Sequence, residues 1–485
     1  MVFYTVISVV YFLFVLSLVL IVVLENRQPV KTIAWILVLL FLPVIGLVAY
    51  LFFGKNRKRE FFMTRACAAQ LARRSAVRFY SCGFPELPSE YHQLIKLFRR
   101  QSGAFPYSDN NVQMFTMGHD MLDALMRDIQ SARRHIHIEF YIIDDDKIGN
   151  LVCNALIAKA REGVKVRLVY DDVGCWKVKN RFFQRMKDAG VEVEGFLPVR
   201  FPKFTSKVNY RNHRKIVVID GFIGYIGGMN LAERYFMPTL KNSQPWRDTH
   251  LRLTGNAVAG LQRAFLTDWY VASGELIKDK LYYPQEDEHL MRMLSDKEEY
   301  VCRKALIQIV TAIPTSTWPD IMQGMIMAVM RAKKYCYLQS PYFMPTEGML
   351  FAMQTAALSG VDVRLMMPAK ADSSLLTWAS RSYVWEAMKA GVRVYFYNKG
   401  FLHAKTLVCD DFLSSCGSTN IDFRSFEHNF EVNAFIYNKE MALKMKSIFL
   451  EDQQDCILLN VNNWRHRPFW NRMGESFIRV LSPLL

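Results

Sequence analysis

Two long apolar runs dominate the hydrophobic pattern at the start of the chain. The first extends from Val2 to Leu24, and the second extends from Ile33 to Phe53 and contains Pro43 and Gly46. Each run is long enough to cross a hydrocarbon layer of ~30 Å at a rise of ~1.5 Å per residue. The pattern predicts a two-helix transmembrane hairpin over residues 1–54. A cleaved signal peptide is the competing interpretation of the first run, which lacks a basic start and a small-residue cleavage site.

Positive charge is distributed unevenly around these runs. Residues 55–59, Lys-Asn-Arg-Lys-Arg, directly follow the second run, whereas the connector at 25–31 carries only Arg27 and Lys31. Because basic flanks stay on the cytoplasmic side, the pattern places both ends of the hairpin in the cytoplasm. The rest of the chain then lies at the inner surface of a membrane, where anionic lipids attract its basic residues.

Beyond about residue 108, short β-rich runs alternate with helical stretches, and the same plan occurs twice. A basic pair leads into HIHIEFYII in one copy and into YCYLQSPYF in the other, and GVKVRL (163–168) later matches GVDVRL (360–365). Alternating strands and helices are typical of α/β proteins. The pattern predicts an α/β fold of two similar halves, each a mixed, largely parallel sheet flanked by helices, preceded by the membrane hairpin.

Changes in composition predict where these halves begin and end. We expect a juxtamembrane linker at 55–107, the first half at 108–272, a second linker at 273–300 and the second half at 301–485. The second linker is charged and polar, and its Pro284 begins the run Pro-Gln-Glu-Asp-Glu. Such composition is typical of a connection between folded parts.

The overall charge and the cysteines narrow the classes of partner. The 485 residues include 61 Lys and Arg against 45 Asp and Glu, a formal net charge of +16. That balance favours nucleic acid, acidic lipid or phosphorylated substrates, without choosing among them. The nine cysteines are scattered and form no C-x-x-C pair, which argues against a disulfide framework or a zinc site.

Both copies of the repeat carry the same polar residues at the same spacing. The first copy has His213, Lys215, Asp220, Gly228 and Asn230, and the second has His403, Lys405, Asp410, Ser418 and Asn420. In both copies, Lys lies two positions after His, Asp lies seven positions after it and Asn lies seventeen positions after it. Because a single match carries a real risk of chance, the repetition at equal spacing is the stronger signal.

The spacing predicts which of these side chains act together. Alternate residues of a strand share a face, so His and Lys project to one side and Asp projects to the other. We therefore expect Asp220 and Asp410, though part of the catalytic motif, to fix a turn by local hydrogen bonds. The small residues at 228 and 418 are expected to let the backbone approach a ligand closely. Asn230 and Asn420 are expected to donate hydrogen bonds to phosphate oxygens.

Two histidines, two lysines and two asparagines around one point suit phosphodiester chemistry. Lysines and amides stabilise negative charge on phosphoryl oxygens, while one imidazole attacks phosphorus and the other protonates the leaving alcohol. This chemistry predicts no cofactor and no metal. Each imidazole also needs a partner on its other ring nitrogen. Asp248 and Glu431, which follow the two motifs, are candidates for this orienting role, and ordinary solvated carboxylates are the alternative.

The paired motifs resemble the HxKxxxxD motifs of the phospholipase D superfamily. The resemblance to its bacterial cardiolipin synthases extends over nearly the whole chain and includes GGMN, PWRDTH, SPYFMP, GFLHAKT and GSTNIDFRSFEHNFEVN. It implies transfer of a phosphatidyl group between two phosphatidylglycerol molecules, giving cardiolipin and glycerol through a phosphohistidine. It further implies His213 as the nucleophile, His403 as the acid and base, and a multi-pass protein of the bacterial inner membrane with a cytoplasmic catalytic region.

Several alternatives remain open from the sequence. A hydrolase would use water as the acceptor, and another transferase would use a different alcohol, at the same site. The membrane hairpin argues against a nuclease, so we expect no nucleic-acid partner. A non-catalytic lipid-binding scaffold would not explain why both motifs are intact. The basic and aromatic segment 200–211 is either a head-group contact or a solvated loop, and Phe401-Leu402 lines a substrate path or belongs to the core.

Overall fold

The computed structural model describes residues 2–24, 29–50, 62–81, 85–199, 209–239, 243–283 and 300–482. These residues form two units, Met1–Phe62 with Val199–Asn209, and Met63–Pro198 with Tyr210–Leu485. Four predicted features lie wholly or largely outside the described residues. They are the connector between the apolar runs, the basic flank at 55–59, the segment 200–211 up to residue 208, and the polar part of the second linker.

The described residues of the N-terminal unit form the helices α1 (Val2–Leu24), α2 (Pro29–Phe41) and α3 (Pro43–Ala49). Within the described residues, α1 is the one helix that is long and apolar enough to cross a membrane. The second predicted span is not one helix, because proline lacks the backbone N–H that would continue α2. Leu42, with φ −133° and ψ 61°, separates α2 from α3, and Pro43 begins the next helix. Of the predicted two-helix hairpin, the first helix is thus one continuous helix, and the second is divided into α2 and α3.

Helices α1 and α2 pack against each other inside this unit. Leu18 and Val22 of α1 are buried with Leu39 of α2 and with Tyr50. The other apolar side chains of α1 are mostly exposed, with Phe12 exposed by 64%. Exposed apolar side chains of this density are unfavourable in water and suit contact with lipid.

The larger unit alternates strands and helices through both halves. Its helices are α4 (Arg65–Ser81), α5 (His92–Gln101), α6 (Gly118–Ser131), α7 (Lys147–Arg161), α8 (Asn180–Asp188), α9 (Val258–Ser273), α10 (Asp320–Arg331), α11 (Glu347–Leu358), α12 (Ser374–Lys389), α13 (Phe423–Glu427), α14 (Lys439–Gln454), α15 (Val461–Arg465) and α16 (Phe469–Leu481). The strands of the first half are β1 (Pro106–Phe115), β2 (His135–Phe140), β3 (Lys165–Asp171), β4 (Glu192–Phe196), β5 (Arg211–Asn212), β6 (Ile216–Ile219), β7 (Ile223–Gly227) and β8 (His250–Gly255). The strands of the second half are β9 (Cys302–Ala312), β10 (Tyr335–Gln339), β11 (Phe343–Met344), β12 (Asp362–Pro368), β13 (Arg393–Tyr397), β14 (Thr406–Cys409), β15 (Leu413–Gly417), β16 (Ile421–Asp422), β17 (Asn429–Tyr437) and β18 (Cys456–Leu458).

One continuous sheet joins the two halves. Its strand order is β18-β13-β12-β10-β14-β15-β17-β9-β1-β8-β7-β6-β2-β3-β4, with β5 attached to β17. The predicted α/β fold of two repeats is confirmed, but the expectation of a largely parallel sheet is wrong. Parallel pairs within the order occur only among β2, β3 and β4 and among β10, β12 and β13. The other neighbours are antiparallel, and tight turns join two of these pairs directly, β6 with β7 and β14 with β15.

Each half has its own apolar core on the sheet. Ile136 and Leu168 belong to the first core, and Leu338 and Val363 occupy similar places in the second. Helix α5 lies within the predicted juxtamembrane linker, yet its Phe98 is fully buried in the second core. A Cβ placed on Gly324 would lie 2.1 Å from the ring of Phe98, so this contact requires glycine. The end of the predicted linker is thus part of the folded unit.

Candidate active site

Both motif histidines and lysines stand at the start of buried strands. The segments β6 and β14 are buried at every position, which anchors the residues that precede them. His213 and Lys215 precede β6, and His403 and Lys405 precede β14. All four are buried, with Lys215 fully so. Placing two lysines in a buried site costs free energy unless anionic groups compensate.

The first histidine is positioned by a strand of the second half. Strand β5 pairs in parallel with the start of β17, and the backbone N–H of His213 donates to the carbonyl of Phe430 over 3.0 Å. This pairing brings the next residue of β17, Glu431, to the imidazole. The Nδ1 atom of His213 lies 3.0 Å from Oε1 of Glu431. A carboxylate at Nδ1 fixes the tautomer and leaves Nε2 free for chemistry.

The second histidine is positioned by the first half in the same way. Leu402 forms a parallel bridge with Arg247, and the backbone N–H of His403 donates to the carbonyl of Arg247 over 2.7 Å. Asp248 follows Arg247, and its Oδ2 lies 2.6 Å from Nδ1 of His403. The two carboxylates are thus exchanged between the halves. Each half supplies the carboxylate that holds the other half's histidine.

The two lysines lie beside their own histidines. Nζ of Lys215 donates to the carbonyl of His213 over 2.6 Å, and Nζ of Lys405 lies 2.8 Å from Nδ1 of His403. Burial lowers the pKa of Lys215 to about 7 and that of Lys405 to about 8. The positive charge of Lys405 contributes to the lowered pKa of Lys215, so the two motifs face one electrostatic site.

Burial also lowers the pKa of both histidines. The carboxylate of Glu431 opposes this effect at His213, whereas Lys405 and Lys215 add to it at His403, whose pKa lies well below its usual value. Burial raises the pKa of Asp248. Burial acts in the same direction on Glu431, but His213 and neighbouring donors outweigh it and lower that pKa. The favoured resting state has a neutral His213 beside an ionised Glu431.

The small residues at 228 and 418 serve the carboxylates. A Cβ on Gly228 would lie 2.2 Å from Oδ1 of Asp248, so a larger side chain would displace that carboxylate. At the matching position, the hydroxyl of Ser418 donates to Oε2 of Glu431 and accepts from the backbone N–H of Val432 over 3.0 Å. These contacts give both positions a role at the carboxylates, and the expected approach of a ligand to the backbone stays a prediction.

The two asparagines differ in their surroundings. Oδ1 of Asn230 accepts from the backbone N–H of Ile142 over 3.1 Å, and Nδ2 donates to the hydroxyl of Tyr235 over 2.8 Å. Asn230 therefore links the loop after β2 to a tyrosine whose oxygen lies 3.5 Å from Nδ1 of His403. Oδ1 of Asn420 is buried without a hydrogen-bond partner among the described residues. Donation to a phosphate stays a prediction for both.

Asp220 and Asp410 point away from the histidines, as their spacing predicted. The carboxylate of Asp220 accepts three backbone N–H bonds from residues 133–135, at 2.8–2.9 Å. Asp410 accepts the matching bonds from residues 333–335. The sequence predicted hydrogen bonds within the turn. The structure shows instead that each carboxylate joins its turn to the start of the neighbouring strand, β2 for Asp220 and β10 for Asp410. Both residues have a positive φ, 54° and 50°. Their part in the motif is structural.

Replacing Asp220 with alanine is expected to lower the free energy of unfolding by about 2–4 kcal/mol. Three donors lose their acceptor, and alanine is strained at a positive φ. Thermal and denaturant unfolding in detergent measure the loss. Asp188, a charged residue at the end of α8, supplies the control D188A, for which little change is expected. An unchanged stability together with a large loss of turnover would contradict the structural role.

A buried ion pair supports the first histidine. Arg214 donates to both oxygens of Asp268 at 2.8 and 2.7 Å, and its Nε donates to the carbonyl of Glu431 over 3.0 Å. It therefore fixes the strand that carries the carboxylate of His213. The matching residue of the second motif is Ala404. Residue spacing did not indicate a role for Arg214, because the direction of its side chain depends on the fold.

Aromatic side chains surround the two imidazoles and were missed as site residues. The ring of Tyr141 lies 5.0 Å from that of His213, edge to face. The ring of Trp246 lies 5.4 Å from His403, and that of Phe401 lies 5.8 Å away. Tyr141 and Trp246 stand in the segments HIHIEFYII and PWRDTH, so those segments contained the signal. Phe401, left open between a substrate path and the core, contacts both a cavity and the site.

A cavity of about 1190 Å³ reaches Trp246 and Phe401. Its wall carries both charges, with Lys147, Arg234 and Lys370 as the basic residues. A volume of this size admits a lipid head group, for which typical ligand sites of ~300–1,000 Å³ suffice. Among the described residues, no group of three or more His, Cys, Asp or Glu side chains is arranged to hold a metal ion.

Comparison with known families identifies the two halves. The family model described as "Cardiolipin synthase, PLD-like domain" matches residues 125–269 and 325–453. A second model, "Phospholipase_D-nuclease N-terminal", matches residues 9–55. The first matches contain both motif histidines, and the second covers most of the N-terminal helices.

Individual proteins are similar along nearly the whole chain. The cardiolipin synthase of Alkalihalophilus pseudofirmus is 38% identical over 99% of this chain and 93% of its own length. The major cardiolipin synthase of Bacillus subtilis is 37% identical over 99% of this chain and 98% of its own length. Among solved structures, a phosphatidylserine synthase of Haemophilus influenzae matches with a TM-score of 0.60, at 12% identity, over 81% of this chain and 100% of its own. At that identity, the structural likeness concerns the fold.

Proposed function

The chain belongs to the cardiolipin synthase family, and from this premise we propose that it joins two phosphatidylglycerol molecules into cardiolipin and releases glycerol. It is a phosphatidyltransferase that acts on phospholipids. The exchanged carboxylates are the observation that carries the proposal. They hold two imidazoles in fixed tautomers at one buried, lysine-rich centre, which is the arrangement that in-line attack on a phosphodiester requires.

In the first step, Nε2 of His213 attacks the phosphorus of a phosphatidylglycerol. The bond from phosphorus to the glycerol oxygen breaks, and His403 gives its proton to that oxygen. Glu431 accepts the Nδ1–H bond of His213 and stabilises the imidazolium that forms. The phosphatidyl group is then bound to nitrogen and glycerol leaves. An anionic phosphodiester beside His403 favours the protonated form that this step needs.

In the second step, the terminal hydroxyl of another phosphatidylglycerol attacks the phosphohistidine. His403, now neutral, takes the hydroxyl proton as the oxygen–phosphorus bond forms. The bond from phosphorus to Nε2 breaks and restores His213. Asp248 holds His403 in one orientation for both proton transfers. The aromatic side chains around the two imidazoles exclude water, which favours the alcohol over hydrolysis.

The lysines stabilise charge on the phosphoryl oxygens only while they are protonated. The pKa of Lys215, about 7, predicts that kcat/KM falls as pH rises through neutrality. Arginine keeps its charge at such pH, so Lys215→Arg is expected to move this loss up to the pKa of Lys405, about 8. Lys405→Arg is the matched control. It is expected to leave the fall of kcat/KM at about pH 7 in place, because Lys215 still loses its proton there. A profile that both variants leave unchanged would contradict the role of Lys215.

The finer placement in the membrane is also proposed. The family association with membranes and the apolar helix α1 agree with an anchored protein. We assign α2 and α3 to a second, kinked span, since transmembrane helices tolerate proline. The basic residues 55–59 then place the catalytic unit in the cytoplasm of a bacterial cell, facing anionic lipids of the inner membrane. The predicted borders of the two halves stay a prediction, with α5 and the start of β1 added to the folded unit.

The test uses the purified protein with phosphatidylglycerol, in the presence of EDTA, and separates the products. Cardiolipin and glycerol in equal amounts are expected. Phosphatidic acid as the main product would make the chain a hydrolase. A phosphatidyl ester of another alcohol, formed only when that alcohol is added, would identify a different acceptor. An oligonucleotide replaces the lipid in a parallel reaction, in which no cleavage is expected.

A further inference from the structure

Two charged side chains of helix α16, Glu475 and Arg479, form ion pairs on one side of the helix. Arg467, just before the helix, pairs with Glu475 at 2.6 and 2.8 Å, and Arg479 pairs with Glu386 of α12 at 2.7 and 2.9 Å. Ile478, which lies between Glu475 and Arg479 in the sequence, is buried. The Arg479 pair fastens one side of the helix to α12, and the Arg467 pair ties the helix to the turn that precedes it. Its opposite side therefore faces outward.

That outward side is apolar and strongly aromatic. We call it, together with two residues of α12, the aromatic face. Its exposed fractions are Phe469 66%, Trp470 73%, Met473 47%, Phe477 70% and Val480 77% on α16, and Leu375 40% and Trp378 46% on α12. The two helices touch here, since a Cβ on Gly474 would lie 3.2 Å from the ring of Trp378. Residues 469, 473, 477 and 480 follow the spacing of one helical stripe.

The basic residues around the aromatic face match an anionic partner. Residues 461–481 contain four arginines and one glutamate. Arg467 and Arg479 are used in the ion pairs that fasten the helix, whereas Arg465 and Arg472 are exposed. An aromatic stripe flanked by exposed arginines is typical of a helix that lies in the interface of an anionic bilayer. A folded protein surface does not otherwise gain from showing water two tryptophans and two phenylalanines together.

The aromatic face is continuous with the wall of the cavity. Residues 369–372 line the cavity and lead directly into α12. The backbone N–H of Ala371 donates to the hydroxyl of Thr377 over 3.0 Å, which joins this wall to the first turn of the helix. Leu375 and Trp378 stand in the same two turns. The cavity then extends to Trp246 and Phe401, beside His403.

We propose that the aromatic face lies in the head-group layer of an anionic bilayer and sets the mouth of the cavity at the level of the lipid head groups. This inference rests on the proposed function, because it names the way the lipid substrate reaches the site. Tryptophan and phenylalanine enter the boundary between head groups and acyl chains, while Arg465 and Arg472 contact lipid phosphates. A phosphatidylglycerol then needs to move only along the cavity wall to reach His403.

The first test compares two forms of substrate on the full chain in phosphatidylglycerol vesicles. The double variant W470E/F477E is expected to lower turnover of vesicle lipid about tenfold or more, because it removes two large apolar anchors. Turnover of a short-chain, freely dispersed phosphatidylglycerol is expected to change less than about twofold. F351E is the matched control, since Phe351 on α11 is exposed by 66%, close to the 73% of Trp470 and the 70% of Phe477. Equal loss on both substrates, or no loss on either, would overturn the inference.

The second test needs no turnover and so separates this inference from the proposed function. Vesicles whose acyl chains carry bromine are expected to quench the fluorescence of the full chain more strongly than that of W470F, because Trp470 lies near the acyl chains. Equal quenching in both proteins would overturn the inference. A second outcome would also overturn it: a wild type that is a dimer in detergent, a W470E/F477E variant that is a monomer, and no difference in quenching. A second copy of the chain would then cover the aromatic face. Quenching without cardiolipin formation by the wild type would refute the proposed function alone.

Discussion

Replacing either His213 or His403 with alanine is expected to lower the rate of cardiolipin formation by about a thousandfold or more. Without His213 the phosphatidyl group has no nitrogen to bind. Without His403 neither the leaving glycerol nor the attacking hydroxyl has a partner for its proton. The rate is measured on the purified full chain with labelled phosphatidylglycerol, after equal folding of the variants has been checked by thermal unfolding.

An exposed histidine supplies the control for this pair. His119, near the start of α6, has a side chain that is 59% exposed, and H119A is expected to keep the wild-type rate. Because the two motif histidines act in the same reaction cycle, the double variant is expected to be no slower than the slower single variant. Substantial turnover in H213A or H403A would contradict the two-histidine mechanism.

Replacing Glu431 with glutamine is expected to lower the rate by about 10²- to 10⁴-fold. The carboxylate lies in the second half but holds the first histidine. Its loss should therefore change the pH dependence that His213 governs. Burial lowers the pKa of His213, whereas the charge of Glu431 raises it. Removing that charge should therefore lower the pKa of His213 further. The attacking imidazole must be neutral. The acidic limit of kcat/KM should therefore move to lower pH in E431Q.

Asp248→Asn is the informative comparison, because Asp248 holds His403 instead. A similar loss of rate is expected without the same displacement of the acidic limit. Glu451, an exposed residue of α14, provides the neutral control E451Q. If D248N displaced the limit and E431Q did not, the exchange of carboxylates between the halves would be contradicted.

Much of this site was predictable from residue spacing, because a strand repeats every two residues. The parity of the motif placed His213 and Lys215 on one side and Asp220 on the other. It did not give the partner of Asp220, whose bonds reach residues 133–135 in another strand. Hydrogen bonds between distant segments follow from the packing of the sheet, which residue spacing does not encode.

The carboxylates show the same limit. Asp248 and Glu431 were predicted as orienting groups, but the sequence did not indicate which histidine each one would hold. That choice depends on the parallel pairing of β5 with β17 and on the bridge between Arg247 and Leu402. Ser418 shows the same dependence, since its bond to Glu431 exists only because β15 and β17 are neighbours.

Two errors have local physical causes. The tight turn at Asp220-Gly221 was recognised, and such a turn already requires antiparallel neighbours, yet the sheet was expected to be largely parallel. Pro43 was recognised in the second apolar run, but hydropathy does not record the lost N–H that divides α2 from α3. The aromatic face of α16 was also missed, because its exposure depends on which side the ion pairs of Arg467 and Arg479 fasten.

The two-histidine mechanism is tested most directly by trapping the covalent intermediate. The full chain is mixed briefly with phosphatidylglycerol that carries radioactive phosphorus, and the reaction is stopped with denaturant at alkaline pH, where a phosphohistidine persists. The two-histidine mechanism predicts label on the wild type and none on H213A, whereas H403A, which lacks the acid of the first step, is expected to gain label only slowly and then to keep it. Label on H213A, or cardiolipin formed by the wild type with no labelled protein at any time, would contradict it.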